Sequence, residues 1–130
     1  MPVKKVIFLL LFAGAVLCSS LAHADKSAVT IQAPERAPAG STIPIRIVVT
    51  HSGNNLLHYT QWVRITINGT EVARWDFSWK ARPEAAVFTR DITYTVKEPL
   101  NIEAEASCNI HGSKGIARAT VAVAGKDTGQ

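Results

Sequence analysis

The sequence predicts an all-β fold, and three patterns support this prediction. Short segments alternate apolar and polar residues with a period of two, which is typical of strands with one buried face. An Asn68-Gly69 pair separates two such segments, and this dipeptide favours a tight hairpin turn. No long segment has helical periodicity. About seven short strands in a chain of this length are typical of an antiparallel β-sandwich of the immunoglobulin-like type.

The individual strands can be placed by their patterns and by the turn residues between them. Ile43–Thr50 and Gln61–Asn68 show the clearest alternation, and Asn68-Gly69 leads directly into a third strand. Pro34, Pro38 and Gly40 interrupt the chain before Ile43. The predicted strands are Ala28–Gln32, Ile43–Thr50, Gln61–Asn68, Thr70–Phe77, Ala86–Val96, Leu100–Cys108 and Ile116–Val123.

The N-terminus has the three parts of a secretory signal peptide. Lys4 and Lys5 make its start positive, Val6–Leu17 is apolar, and Ala22-His23-Ala24 supplies small residues at a cleavage site. The apolar segment is shorter than a membrane-spanning helix requires. We therefore expect residues 1–24 to be a signal peptide, cleaved after Ala24, and the mature protein to be periplasmic with no membrane span.

Cleavage would change both charge and cysteine content. Removing 24 of 130 residues leaves 106, which is one ordinary domain over residues 25–130. The formal charge falls from +4 to +2 with the loss of Lys4 and Lys5, which argues against nucleic acid as a partner. Cys18 is also lost, so Cys108 cannot form an internal disulfide. A homo-oligomer is compatible with this composition.

The most informative motif is Cys108-Asn109-Ile110-His111-Gly112. A thiolate and an imidazole three residues apart can bind one metal ion from a tight turn. His51 and His58 stand at the end of one predicted strand and the start of the next, so all four side chains are expected at strand ends, where sandwiches carry binding residues. Such a set suits zinc or copper. A blue-copper site would usually add a methionine, but Met1 is the only one.

These motifs resemble those of a known family. The Cys108–Gly112 motif, His58-Tyr59 followed by Trp62, and His51 in the preceding loop are similar to the iron domain of superoxide reductases, which include desulfoferrodoxin and neelaredoxin. The resemblance extends over nearly the whole mature chain. It implies an immunoglobulin-like sandwich and a mononuclear iron site that reduces superoxide to hydrogen peroxide. An external electron donor, a small redox protein, is also implied.

The resemblance also implies roles for individual residues. In the family, four equatorial histidines and one axial cysteine hold ferrous iron, and the sixth position is open to superoxide. Cys108 would be the axial thiolate, and His51, His58 and His111 would be three of the equatorial ligands. Lys26 matches the lysine that attracts the anion.

The chain departs from the family pattern at the fourth histidine. Ser27 stands at that position, and Ser113-Lys114 follows Gly112 where relatives have an apolar residue and tryptophan. A site with four ligands would turn over superoxide more slowly, or lose its metal more easily, than a site with five. Ser27→His would then raise the turnover rate and slow the loss of metal. The alternative is a periplasmic module without catalysis, which either binds a metal or resembles the sulfur-carrier subunits of thiosulfate oxidation.

Overall fold

The computed structural model describes residues 26–125. The predicted signal peptide and its cleavage site after Ala24 lie outside the described residues. Between residues 26 and 125 there is no helix of the length and apolarity that a membrane crossing requires. The eight strands of this part are β1 (Ala28–Gln32), β2 (Arg36–Pro38), β3 (Thr42–Thr50), β4 (Thr60–Ile67), β5 (Thr70–Asp76), β6 (Val87–Thr95), β7 (Leu100–Cys108) and β8 (Ala117–Ala124).

The strands form two sheets that pack face to face as a sandwich. One sheet has the order β1-β3-β6 and the other the order β2-β8-β7-β4-β5. Alternating residues of both sheets point inward, so Ile45 and Ile47 of β3 and Val63 and Ile65 of β4 are fully buried. Burial of these branched side chains is the main stabilising contribution to such a fold. The prediction of an all-β, immunoglobulin-like sandwich is confirmed.

The predicted hairpin between β4 and β5 is present. Asn68 and Gly69 both have positive φ angles, of 49° and 82°, as a turn of type I′ requires. The side chain of Asn68 also accepts a hydrogen bond from the amide of Asn101 at 2.8 Å, which ties the turn to β7. Local turn chemistry therefore determines this connection.

One strand was not predicted. The segment with Pro34, Pro38 and Gly40 was expected to be a break, but β2 forms within it and pairs with β8. This pairing is parallel, whereas the prediction was that all strands pair in antiparallel fashion. β2 has only three residues and lies at a sheet edge, where a proline is tolerated because its missing N–H breaks no ladder. Three residues are too few to show a period of two.

The sheet register brings several chain segments to one end of the sandwich. Ala28 pairs with Thr50, so the start of β1 lies beside the end of β3. Thr60 pairs with Cys108, so the start of β4 lies beside the end of β7. This end, called the site end below, therefore carries the segment before β1, the loop 51–59 and the turn 108–112.

Candidate metal centre

Cys108 closes β7 and begins a tight turn. Its amide donates to the carbonyl of Gly112 at 2.9 Å, and the amide of Gly112 donates back to the carbonyl of Cys108 at 3.1 Å. Gly112 has a φ of 78°, a conformation that glycine adopts without strain. The turn therefore places the side chains of Cys108 and His111 on one short, closed loop.

The Cys108 thiol is buried and free, with 3% of the residue exposed. Its Sγ accepts weak hydrogen bonds from the backbone amides of Ile110 at 3.4 Å and His111 at 3.5 Å. Amide donors to a cysteine sulfur tune the properties of a metal bound to that sulfur. The sulfur can therefore bind a metal ion, and its burial shields it from solvent.

The orientation of His51 follows from its neighbour Asn54. The Asn54 amide is fixed, because its Nδ2 donates to the carbonyl of Ala85 at 2.7 Å and its Oδ1 accepts from the amide of Thr60 at 2.8 Å. Oδ1 also lies 3.2 Å from Nδ1 of His51, so Nδ1 must carry the proton. The lone pair of His51 is then on Nε2. A histidine that donates one ring N–H to a carbonyl oxygen and presents the other nitrogen is typical of a metal ligand.

Three imidazoles meet at His58. Its Nε2 lies 3.1 Å from Nε2 of His51 and 3.1 Å from Nδ1 of His111. The single proton or lone pair on this nitrogen can point along only one of the two contacts, so only one of them can be a direct hydrogen bond. A cation between the rings would accept a lone pair from each of them. The donor set therefore fits a metal ion better than it fits a hydrogen-bonded cluster.

The distances agree with one shared ion. The ligand atoms of His51, His58 and Cys108 all lie within 4.8 Å of one another. Metal–nitrogen bonds of about 2.0–2.1 Å place neighbouring nitrogens about 2.9 Å apart at right angles and about 3.4 Å apart at tetrahedral angles. The ring separations lie between these limits. His111 is outside the group defined by that distance and joins it through its contact with His58.

The burial of the four side chains is graded. His51 and Cys108 are buried, His58 is half-buried, and His111 is exposed. One side of the cluster is thus enclosed by the sandwich and the other faces solvent. An enclosed thiolate with an open imidazole side would let a small ligand approach the ion from outside.

Lys26 and Ser27 lie beside this cluster. The Ser27 amide and the Cys108 amide both donate to the carbonyl of Gly112, at 3.3 and 2.9 Å. Ser27 is fully buried, and its hydroxyl forms a 2.8 Å hydrogen bond with the hydroxyl of Thr60. Lys26, the residue before it, is exposed. The segment aligned with the missing histidine therefore does run past the cysteine turn.

Sequence reasoning missed the supporting asparagines. Asn54 orients His51, and Asn109 joins the two ligand loops by accepting from the amide of Tyr59 at 3.0 Å and donating to the carbonyl of Leu57 at 3.1 Å. Both residues stand within or beside ligand motifs, and amide side chains commonly cap such turns. Their position next to the candidate ligands could therefore have indicated this supporting role.

The match to a family model decides the assignment. Residues 20–114 match the model described as Desulfoferrodoxin, and this span includes Lys26, Ser27 and all four candidate ligands. The chain belongs to the desulfoferrodoxin family. The resemblance noted in the sequence is therefore confirmed.

Several solved structures have folds similar to that of this chain. A superoxide reductase (neelaredoxin) from Ignicoccus hospitalis is 21% identical, with 75% of this chain and 81% of that chain covered at a TM-score of 0.61. A candidate superoxide reductase from Thermotoga maritima is 22% identical, with coverages of 75% and 86% and a TM-score of 0.53. The sulfur carrier protein SoxY from Chlorobium limicola is 18% identical, with coverages of 73% and 77% and a TM-score of 0.50. At these identities the likeness concerns the fold. No curated protein matches this desulfoferrodoxin-family chain in sequence.

The resemblance described in the sequence analysis gives a prediction for Ser27→His. In protein loaded with iron, the added imidazole should slow the loss of iron to a chelator, because the resemblance places the fourth histidine at position 27. Without metal, the variant should be less stable to unfolding than wild type by about 1–3 kcal/mol. The imidazole ring must fit into a buried position, and the hydrogen bond between the Ser27 and Thr60 hydroxyls is lost. Chelator-driven iron release and urea unfolding measure the two effects.

Ser27→Ala is the matched control, since it removes the hydroxyl without adding a ligand. If Ser27→His releases iron as fast as Ser27→Ala, the alignment of Ser27 with the histidine is wrong.

Proposed function

We propose that this protein binds one iron ion through His51, His58, Cys108 and His111 and reduces superoxide to hydrogen peroxide. The observation that carries the proposal is the convergence of two ring nitrogens and a buried thiol within 4.8 Å of one another, with the His111 ring 3.1 Å from His58, in a chain of the desulfoferrodoxin family. When bound, ferrous iron would supply the one electron that, with two protons from solvent, converts superoxide into hydrogen peroxide.

The protein side chains contribute binding, orientation and charge. Asn54 keeps His51 in the tautomer that presents Nε2 to the ion. The amides of Ile110 and His111 stabilise negative charge on the Cys108 sulfur, and a thiolate ligand gives electron density to the ion. The exposed ring of His111 leaves one side of the site open to a small anion.

Lys26 is proposed to attract the substrate anion. Its side chain is exposed, and the next residue donates a backbone hydrogen bond into the cysteine turn. The amide of Lys114 donates to the carbonyl of Ser27 at 2.9 Å, so a second lysine stands close to the same segment. Positive charge near an open site raises the rate at which anions arrive, and this effect weakens as salt is added.

A second candidate function is metal binding without turnover. It is favoured by Ser27, whose buried hydroxyl is bonded to Thr60 at the position where the family has a histidine. Three imidazoles and one thiolate form a set that suits tetrahedral zinc, and copper is also compatible with nitrogen and sulfur ligands. This candidate shares the ligands of the first and differs only in the ion and its chemistry.

Pulsed superoxide distinguishes the two candidates. Protein loaded anaerobically with ferrous iron should remove superoxide faster than zinc-loaded protein, and peroxide should form as ferrous iron is oxidised. Zinc-loaded protein is the control because zinc has no redox chemistry. Equal decay of superoxide in the two samples would leave metal binding as the function.

The proposed location is the periplasm. It is supported by the positive, apolar and small-residue segments of residues 1–24. The mass of the native protein should correspond to a chain that begins at Asp25. A mass that includes Met1 would contradict export with cleavage.

A further inference from the structure

Exposed apolar side chains are concentrated at the site end. Among the described residues, seven large apolar side chains are exposed, and the five most exposed belong to loops or strand ends beside the candidate ligands. We call these five, which are 54–79% exposed, the apolar rim: Leu56, Leu57, Trp79, Val87 and Ile110. Apolar groups gathered in this way mark a surface that contacts a protein or a membrane.

The apolar rim projects from loops whose backbones are held by hydrogen bonds. Asn109 donates to the carbonyl of Leu57 at 3.1 Å, which joins the two ligand loops. Asn54 donates to the carbonyl of Ala85 at 2.7 Å, which fixes the loop 77–86 to the same end. The apolar side chains therefore belong to a preformed surface, and presenting them to a partner requires no refolding of the loops.

Cations surround the apolar rim. The loop 51–59 and the segment 108–115 contain no Asp or Glu. The Nζ of Lys80 lies 5.0 Å from the centre of the Trp79 ring, so one cation stands directly beside an apolar side chain of the rim. Within residues 26–125, the exposed cations at this end are Lys26, Lys80, Arg82 and Lys114.

Two acids at the site end are offset by arginines. Glu84 accepts a hydrogen bond from Arg90 at 2.9 Å, and this bond holds the pKa of Glu84 below its usual range. Asp76, at the end of β5, lies 3.7 Å from Arg74. No acid in the described part of the chain forms an ion pair with any of the four exposed cations. The face around the apolar rim is therefore positively charged.

The charge and composition of this face select the kind of partner. A second copy of this chain, placed with the same face against this one, would bring cations against cations, which disfavours self-association. Lysine is depleted at protein–protein interfaces, whereas three of the four cations here are lysines. Amphipathic segments that lie in the surface of a bilayer combine Lys and Arg with Trp and Leu, as this face does. The composition therefore favours an anionic lipid surface.

We propose that the apolar rim and its four cations bind the surface of an anionic phospholipid bilayer. The apolar side chains would enter the boundary between headgroups and acyl chains, and the cations would contact lipid phosphates. Ile110 of the rim and the exposed His111 belong to one turn, so the docked chain would hold the candidate metal centre at the membrane surface. The inference does not depend on the proposed function, because it requires neither a metal nor turnover.

Sedimentation with lipid vesicles tests the binding. The natively processed protein should bind vesicles made of equal parts phosphatidylglycerol and phosphatidylcholine, and binding should weaken as salt is added. Leu57→Ser removes an apolar side chain of the rim, and Lys80→Glu reverses one of its charges. Each variant should bind these vesicles about tenfold more weakly than wild type. Absence of binding by the wild type at low salt would overturn the proposal.

Two matched variants and neutral vesicles serve as controls. Val72→Ser, in β5, and Lys97→Glu, beyond β6 at the opposite end, change exposed residues of the same kinds away from the rim. Both should bind anionic vesicles as wild type does, and vesicles of phosphatidylcholine alone should bind wild type more weakly. Equal binding by all five proteins, or equal binding to both kinds of vesicle, would contradict the proposed surface.

Tryptophan fluorescence tests whether the rim enters the bilayer. Anionic vesicles should move the emission of wild type to shorter wavelength, because the Trp79 ring leaves water, and Trp79→Phe should lack this shift. Binding of wild type without a shift would overturn the proposal. An acidic soluble protein that binds wild type but not Leu57→Ser, when vesicles bind neither, would assign the surface to a protein instead. A dimer of the chain alone that Leu57→Ser abolishes would assign it to a second copy, and either result would also overturn the proposal.

Discussion

Replacing Cys108 with serine should abolish tight metal binding. A hydroxyl is a far weaker ligand than a thiolate, and within residues 26–125 Cys108 contributes the one sulfur close to the imidazoles of His51 and His58. We expect affinity for the ion to fall by at least about 100-fold, since even changes to groups that only support metal ligands cost about 10- to 100-fold. Metal content per chain after dialysis against a chelator measures the loss.

Ser107→Ala is the matched control for this variant. Ser107 is the neighbouring strand residue, and its hydroxyl makes only a long contact, 3.5 Å, with the carbonyl of Cys108. It should retain metal as wild type does, and circular dichroism should show the same strand content in all three proteins. Equal metal content in wild type and Cys108→Ser would show that the thiolate is not a metal ligand.

His58→Ala should weaken metal binding more than His111→Ala. The His58 ring contacts both of the other rings, so its loss separates the buried His51 from the exposed His111. Loss of His111 removes only a solvent-exposed ligand, whose place water can take. Titration of cobalt-loaded protein with a competing chelator gives the two dissociation constants. A larger effect of His111→Ala would show that His58 is not central to the site.

Much of the fold was predictable because its causes are local. The alternation in Ile43–Thr50 and the Asn68-Gly69 turn each depend on a few neighbouring residues, and both are present in the structure. β2 was not predictable, because three residues around a proline show no period and are held only by β8. Its parallel pairing depends on a distant segment.

The candidate ligands were named from local motifs and placed at strand ends, but the distances between them could not be predicted from the sequence. Cys108 and His111 share one turn, whereas the approach of His51 and His58 to them depends on the register between β4 and β7. The role of Asn54 was hidden for a similar reason, because its amide is oriented by Thr60 and by Ala85, a residue on another loop. Both features depend on contacts between segments that are distant in the sequence, so local patterns do not show them.

X-ray absorption of the iron-loaded protein tests most directly whether the four side chains bind one ion together. The proposal predicts a first coordination shell with one sulfur and three imidazole nitrogens per iron in wild type. Cys108→Ser protein, if it retains any iron, should show no sulfur. A wild-type shell of oxygen and nitrogen alone would contradict the account, because the buried thiol would then have no part in holding the metal.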